Sequence, residues 1–592
     1  MSPKSLCLLA VVALCVSTAF AQTPSGIVIE RNVAMKTRDG VTLHADIYRP
    51  AGDGTFPVLL QRTPYNKDNA TTFALQAVAR GFMVVVQDVR GRYTSEGEWY
   101  TFKHEIDDGY DTVEWAAALP HANGKVGMFG GSYVGATQML AAISHPPHLA
   151  GICPVVTASN YHENWTYQGG AFEQWFDESW TSGLAQDTLD HEIRDNTNAS
   201  VGAKTLPLTK YPLFNTDIDP GVSATTAKLA PYFLDWLAHP TFDGYWKQWA
   251  IDLNYANIQV PALTVAAWYD LFQGGSLENY EGLRDHAGNA AARANQRLII
   301  AIGGHAGIGE KIGDVDFGPE AKEYNEDTLT LDWYDYLFMG KHNEFSDPTH
   351  PVRIFVMGEN KWRNETAWPL ARANETRYFL SSGGKANGAA GDGTLSTTAP
   401  HSESADTYIY DPANPVPTTG GPLCCDPVHE PAGPRNQKEV EARDDVLVYS
   451  TPPLTADTEI TGPVTLDLFA KSSAVDTDFT AKLVDVWPNG FAQNLTEGIL
   501  RASFRESTLG EPKPIMPGKI YEYKIDVWAT SNVFKKGHRI RLEVSSSNFP
   551  RFDRNPNTGK NAEEATDFVK ATNTVLHDAE HPSVLILPVV AK

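Results

Sequence analysis

The sequence predicts an α/β chain in which a mostly parallel sheet, split by a helical insertion, is followed by an antiparallel β domain. Three observations carry that expectation. Apolar runs the length of buried strands alternate with helical stretches early in the chain and again after Ala262, the pattern of a parallel sheet covered on both faces. Between about Ala158 and Leu253 the strand rhythm disappears, and aromatic residues (Tyr161, Trp165, Tyr167, Phe172, Trp175, Phe176, Trp180) recur at helix-like spacing. Beyond about Thr349 short β-rich runs separated by Gly/Ser/Pro-rich loops replace the helices, which reads as an antiparallel sandwich or jelly roll.

The elements follow in order. Val33 to Thr37 and Val41 to Tyr48 alternate and flank Arg38-Asp39-Gly40, a hairpin signal. Phe56 to Leu60, Phe82 to Val86 and Val126 to Phe129 are strand-like; Thr71 to Arg80, Tyr110 to Leu119 and Val134 to Ile143 are helical. Strands resume at Ala262 to Ala267 and Arg297 to Ile302, with a helix at about Leu277 to His286 between them. In the last part, Val352 to Met357, Thr376 to Leu380, Val464 to Ala470, Phe479 to Val486, Ile520 to Ala529 and Arg539 to Ser545 are strands. A chain of 592 residues exceeds one hydrophobic core. The expected division is a leader over 1–21, sheet segments over 22–157 and 254–348, a helical cap over 158–253, and a C-terminal jelly-roll β-sandwich over 349–592.

The leader rests on Lys4, the apolar stretch Leu6 to Val16 and Ala19-Phe20-Ala21 before Gln22, the anatomy of a secretory signal peptide cleaved after Ala21. Secretion, or residence in a periplasm, is the expectation. No later segment is long and apolar enough to span a bilayer, so the mature form is expected off the membrane. The net charge of −24 argues against nucleic acid, whose phosphates need clustered basic residues. Beyond the leader three cysteines remain: Cys153 in an apolar run, and the adjacent pair Cys424 and Cys425. They give no zinc pattern; the pair is read either as a vicinal disulfide or as two free thiols.

The sharpest chemical signal is Gly130-Gly131-Ser132-Tyr133-Val134-Gly135, between a strand and a helix. A serine on such a turn is held with its hydroxyl exposed, and small neighbours make room for the bend. Serine needs a base, and the base a carboxylate to orient it. In α/β-hydrolases these follow in the order serine, acid, histidine, each after a later strand. Asp270 follows Ala262 to Ala267, and His305 follows Arg297 to Ile302. Asp88, Arg90 and Glu96 are read as a network bracing their loop rather than as a second catalytic set.

These residues resemble the cocaine-esterase-like branch of the X-prolyl dipeptidyl-peptidase group of α/β-hydrolases. Its pattern G-x-S-Y-x-G is met by Gly130 to Gly135, and its strand and arginine loop by Val85 to Gly91 with Ser95-Glu96-Gly97. Arg62-Thr63-Pro64-Tyr65, Trp268-Tyr269-Asp270 and Asp476-Thr477-Asp478-Phe479 match further segments. The resemblance implies an α/β-hydrolase domain with a helical cap and a C-terminal jelly roll. It also implies catalysis by Ser132, Asp270 and His305, and an oxyanion hole made of the Tyr65 hydroxyl and the Tyr133 backbone N–H. One departure is Ile302-Gly303-Gly304 before the histidine, where the family has Gly-Pro-Trp.

The expected function is hydrolysis of a small-molecule carboxylic ester or amide through an acyl-enzyme, with no metal or organic cofactor. Related readings on the same triad are an X-Pro dipeptidyl-peptidase and a glutaryl or β-lactam acylase. A reading of another class is a non-catalytic exported glycan-binding protein. Relatives that act on α-amino-acid esters carry a Glu-Asp pair beyond the catalytic acid, whereas Asp270 is followed by Leu271-Phe272-Gln273. Weak preference for free α-amino groups is therefore expected, although Glu163, early in the cap, could substitute. Trp165 and Trp175 are candidate pocket aromatics. A homo-oligomer is left open.

Overall fold

A computed structural model describes residues 26–196, 228–305, 307–323, 325–401, 404–561 and 565–591. The expected leader, 1–21, lies outside the described residues, as does the cap segment 197–227.

Ten strands form the ladder of the first sheet: β1 (Ile27–Lys36), β2 (Thr42–Pro50), β3 (Phe56–Thr63), β4 (Met83–Asp88), β5 (Ala122–Gly131), β6 (Leu149–Val155), β7 (Leu263–Tyr269), β8 (Arg297–Gly304), β9 (Val352–Val356) and β10 (Lys361–Glu365). Their order in space is β1-β2-β4-β3-β5-β6-β7-β8-β9-β10. β1 and β2 form the Asp-Gly hairpin, and β4 through β9 run parallel in the centre. The central strands carry apolar side chains on both faces because helices cover both. In β4, Val84, Val85 and Val86 are fully buried, each stabilising the fold by roughly 1.5–3 kcal/mol.

Helices α1 (Thr71–Ala79), α2 (Glu105–Ala117), α3 (Tyr133–Ile143), α4 (Gln174–Asn196), α5 (Pro231–Ala238), α6 (Gln273–His286) and α7 (Glu326–Met339) surround the sheet and build the cap. α2 starts a turn before the apolar periodicity does. Its first turn holds Glu105, Asp107 and Asp108, carboxylates that suit the positive end of a helix dipole. α7 was not predicted. It packs on the sheet so closely that a Cβ at Gly127 would lie 2.2 Å from the Tyr334 ring. Among the described residues no helix is long and apolar enough to cross a membrane.

The first sheet continues past residue 348, where the sequence reading began the last domain. Leu298, Ile299 and Ile300 of β8 pair in parallel with Val352, Arg353 and Ile354 of β9. Alternation along a strand reports its two faces but not its neighbour, so an edge strand reads the same whichever sheet it joins. The second sheet assembly starts at Ala373–Ser381. Among the described residues it has 11 strands, and their pairings with one another are antiparallel apart from Thr394 with Ser450. Its long strand Thr458–Ser472 pairs with Tyr521–Phe534, Ala571–Leu576 and Val584–Val590.

The two sheet assemblies interlock at β7, α6 and the cap. The Tyr269 hydroxyl donates to the Asn494 carbonyl at 2.9 Å. The Gln273 side chain donates to the Ala529 carbonyl (2.9 Å) and accepts from its N–H (3.1 Å). Arg551, fully buried, donates to Glu497 of its own domain (2.7 Å) and to Gln168 (2.9 Å) and Glu173 (3.3 Å) of the cap.

Candidate active site

Ser132 sits where β5 ends and α3 begins, with φ 62° and ψ −130°. A non-glycine residue there is strained, and such strain persists only where the surroundings impose it. Two neighbouring glycines make the turn possible. At Gly130, with φ 123°, a Cβ would lie 2.4 Å from Val134 Cγ1; at Gly135 it would lie 2.8 Å from Thr157 Cβ. The tight position after the serine is thus 135 rather than 134, which accommodates Val134.

The Ser132 hydroxyl donates to His305 Nε2 at 2.8 Å, and His305 Nδ1–H donates to Asp270 Oδ2 at 2.6 Å. A carboxylate only accepts, so the ring proton sits on Nδ1 and Nε2 faces the serine as acceptor. Asp270 has no exposed surface, and its second oxygen accepts the Phe272 backbone N–H at 2.7 Å. The acid leaves β7 and the histidine leaves β8, neighbouring parallel strands. Three residues separated by up to 173 positions therefore form one continuous relay.

Tyr65 follows β3. Its hydroxyl lies close enough to the Ser132 side chain and the Tyr133 backbone N–H for both to act on its ionisation, so both expected oxyanion donors border the nucleophile. Burial pushes the Tyr65 phenol up, keeping it protonated and able to donate. Tyr133 contributes only its backbone, since its ring is fully buried and its hydroxyl donates to Glu105.

Aromatic rings close the surroundings. Phe272 meets the His305 ring edge-on, centroids 5.1 Å apart, and stacks on Trp165 at 4.3 Å. Phe176 and Trp180, one helical turn apart on α4, both contact Trp165. Trp175 instead donates its backbone N–H to the Pro550 carbonyl, on the side of the second sheet. Trp180 was not singled out in the sequence; its indole N–H donates to the Tyr65 hydroxyl at 3.0 Å. Its signal is the i, i+4 spacing to Phe176, which places two large rings on one helix face.

The residues read as braces do brace, though not with one another. Asp88 accepts from the Lys67 N–H and from Thr94, Arg90 donates to Asp39 and Asp108, and Glu96 accepts from the Thr42 N–H. Glu163 lies away from the relay. It accepts the Gly169 N–H and lines a 620 Å³ cavity with Glu278, Asp526 and Trp528 that none of Ser132, Asp270 or His305 borders. About a quarter of its side chain stays open to that cavity. Protein otherwise surrounds the carboxyl, and this burial pushes it up to about 8.

Cys424 and Cys425 are disulfide-bonded. Cys424 is buried in the same apolar cluster as Trp165, Phe176 and Phe272, while Cys425 is exposed. They sit on a loop closed by the Gly421–Gly433 bridge, and its Ala432 would lie 3.8 Å from a Cβ at Gly304. Where the resembled family has Gly-Pro-Trp, this loop and Phe272 flank the histidine. Cys153 is a free, buried thiol pushed up to about 12 by burial.

Comparison with known proteins adds independent findings. Residues 39–307 match the family model described as X-Pro dipeptidyl-peptidase (S15 family). Residues 343–586 match the X-Pro dipeptidyl-peptidase C-terminal non-catalytic domain. The chain is 39% identical over 590 residues to a cocaine esterase of Rhodococcus sp. (strain MB1 Bresler), covering 95% of this chain and 99% of that one. Two solved structures are each 25% identical to it. One is an aminopeptidase from a marine sediment Thaumarchaeota archaeon, with TM-score 0.79 and coverage of 95% and 97%. The other is an α-amino acid ester hydrolase, with TM-score 0.78 and coverage of 98% and 100%.

Proposed function

This chain belongs to the X-Pro dipeptidyl-peptidase (S15) family of serine hydrolases, in its cocaine-esterase-like branch, and from that premise we propose that it cleaves a carboxylic ester or amide by acyl transfer to Ser132. The observation that carries the proposal is the unbroken relay from the Ser132 hydroxyl through His305 to buried Asp270. Membership of a hydrolase family overturns the non-catalytic glycan-binding alternative.

Ser132 Oγ attacks the substrate carbonyl carbon while its proton passes to His305 Nε2. The carbonyl oxygen becomes an oxyanion between the Tyr65 hydroxyl and the Tyr133 N–H, donors worth about 3 kcal/mol each in a water-poor site. The His305 imidazolium, held by Asp270, then protonates the leaving oxygen or nitrogen, and the acyl group stays on Ser132. Water enters, gives its proton to Nε2 and attacks the acyl carbon. Collapse returns the serine hydroxyl and releases the carboxylic acid. Export through a leader cleaved after Ala21 completes the proposal and rests on residues 1–21 of the sequence.

A fluorophosphonate probe tests the reaction class. It should label the folded protein at one residue, and Ser132→Ala should abolish labelling. Labelling that persists in the variant removes Ser132 from the nucleophile's place. A panel of p-nitrophenyl esters, acyl-β-lactams and X-Pro anilides separates esterase, acylase and dipeptidyl-peptidase readings.

The residues after the acid bear on substrate choice. Leu271 and Phe272 are apolar and buried, and Gln273 is committed to Ala529. Leu271, Phe272 and Gln273 offer no carboxylate to a substrate ammonium placed beside them, and unpaired burial of a charge is costly. For matched phenylalanine esters, the N-acetyl form is expected to exceed the free-amino form in kcat/KM by about tenfold or more. A strong preference for the free amine would refute this.

A further inference from the structure

The Tyr65 hydroxyl has one proton to give and two lone pairs with which to accept. Of its three polar neighbours, Trp180 fixes the direction of its bond unambiguously, because an indole Nε1–H can only donate. At 3.0 Å it occupies one lone pair of the tyrosine oxygen. The Tyr133 N–H lies near the same oxygen and lowers the phenol's pKa against burial. With these two N–H groups beside the lone pairs of its oxygen, the phenolic proton is left to turn toward a third partner.

The contact from Trp180 is built rather than incidental. Its ring is 6% exposed and lies among Tyr133 (5.8 Å), Trp165 (5.5 Å) and Trp236 (6.2 Å), so packing sets the direction of the N–H. One guanidinium ties the two backbones that must stay in register. Arg92, 1% exposed, donates through Nε to the carbonyl of Pro64, immediately before Tyr65, at 3.0 Å. Through Nη1 it donates to the carbonyl of Leu184, one turn after Trp180, at 2.9 Å.

From this geometry we infer that Trp180 is the positioning residue of the oxyanion hole: its N–H holds a lone pair of Tyr65 and directs the phenolic proton toward the substrate carbonyl oxygen. Donation into the phenol oxygen also polarises its O–H, since hydrogen bonds in a chain strengthen one another. The gain is felt where negative charge develops, so it belongs to the transition state rather than to substrate binding. The cap helix thereby takes part in catalysis through Tyr65, without touching the reacting atoms. This inference rests on the acyl-transfer reading proposed above.

The test is a double-mutant cycle on the full chain with p-nitrophenyl acetate, whose small acyl group makes little use of the aromatic walls. Tyr65→Phe should lower kcat about 100-fold, by analogy with loss of other oxyanion donors. Trp180→Phe, which keeps a ring and loses the N–H, should lower kcat about tenfold with KM within twofold. In the Tyr65→Phe background the same change should cost less than about twofold, because there is no hydroxyl left to direct. An equal loss in both backgrounds, or no loss in either, overturns the inference. Replacing Trp180 by benzothienylalanine, in which sulfur stands for the N–H and the ring shape is kept, repeats the test should the phenylalanine variant fold poorly. Ser132→Ala, run alongside, separates the two ideas. Wild-type turnover in that variant defeats the acyl-transfer reading itself, whereas inactivity there with no effect at Trp180 defeats only the positioning role.

Discussion

Asp270→Asn is expected to lower kcat by about 10³–10⁴-fold while leaving KM within a few-fold. The size of the effect follows from which atoms can donate. In the native arrangement Asp270 Oδ1 accepts the Phe272 N–H and Oδ2 accepts His305 Nδ1–H. An asparagine that keeps its oxygen on the Phe272 N–H must turn its NH₂ toward His305. The imidazole then presents Nδ1 as acceptor and carries its proton on Nε2, the atom that should receive the serine proton. The base is lost although every heavy atom stays in place. Steady-state kinetics on an activated ester, with circular dichroism to establish folding, provides the measurement. A loss smaller than tenfold would mean that another group orients His305.

Arg551→Ala is expected to destabilise the folded state by about 3–5 kcal/mol, read as a lower urea midpoint at pH 7. Arg551 is fully buried between two carboxylates from different parts of the fold. Burial alone would raise Glu497, but Lys482 and Arg551 hold it below the usual range. Burial raises Glu173 to about 6 even with Arg551 beside it. Without the guanidinium both carboxylates face a buried site with less compensating charge, the costly way to break an internal ion pair. The sign with pH follows. A depressed carboxylate contributes stability above its unfolded pKa and loses it as pH falls through the folded value. The penalty should therefore be largest at and above neutrality, begin to shrink around pH 6 as Glu173 takes up its proton, and shrink further below about pH 4.5, where Glu497 follows and needs no cation. A loss under about 1 kcal/mol at pH 7 would show that the site relaxes around the gap.

Much of this architecture was legible in the sequence, for reasons that also explain what was not. Val84 to Val86 could be read as a strand because a strand buried on both faces is a continuous apolar run. Ser132, Asp270 and His305 could be picked out because each follows such a run, and the structure joins the other two to His305 by hydrogen bonds. The strand Val352–Val356 kept its identity but not its neighbour, since pairing is a long-range property. Helix α7 was missed because Glu326 to Met339 mixes buried and half-buried aromatics with acids and shows no clean apolar stripe. The contact from Trp180 to Tyr65 spans 115 positions and depends on the orientation of one indole ring. Nothing local in the sequence encodes that.

The bonds that join Tyr269 to Asn494 and Gln493, and Gln273 to Ala529, have a temporal consequence. During synthesis the ribosome delivers Ser132 early and its acid somewhat later, but the groups that clamp the acid's neighbours emerge more than 200 residues after Asp270. A chain made as far as residue 348 carries all three side chains of the relay and still lacks the scaffold that fixes one of them. Hydrolytic competence should thus arrive late, on docking of the final domain, rather than grow in proportion to the length of polypeptide made.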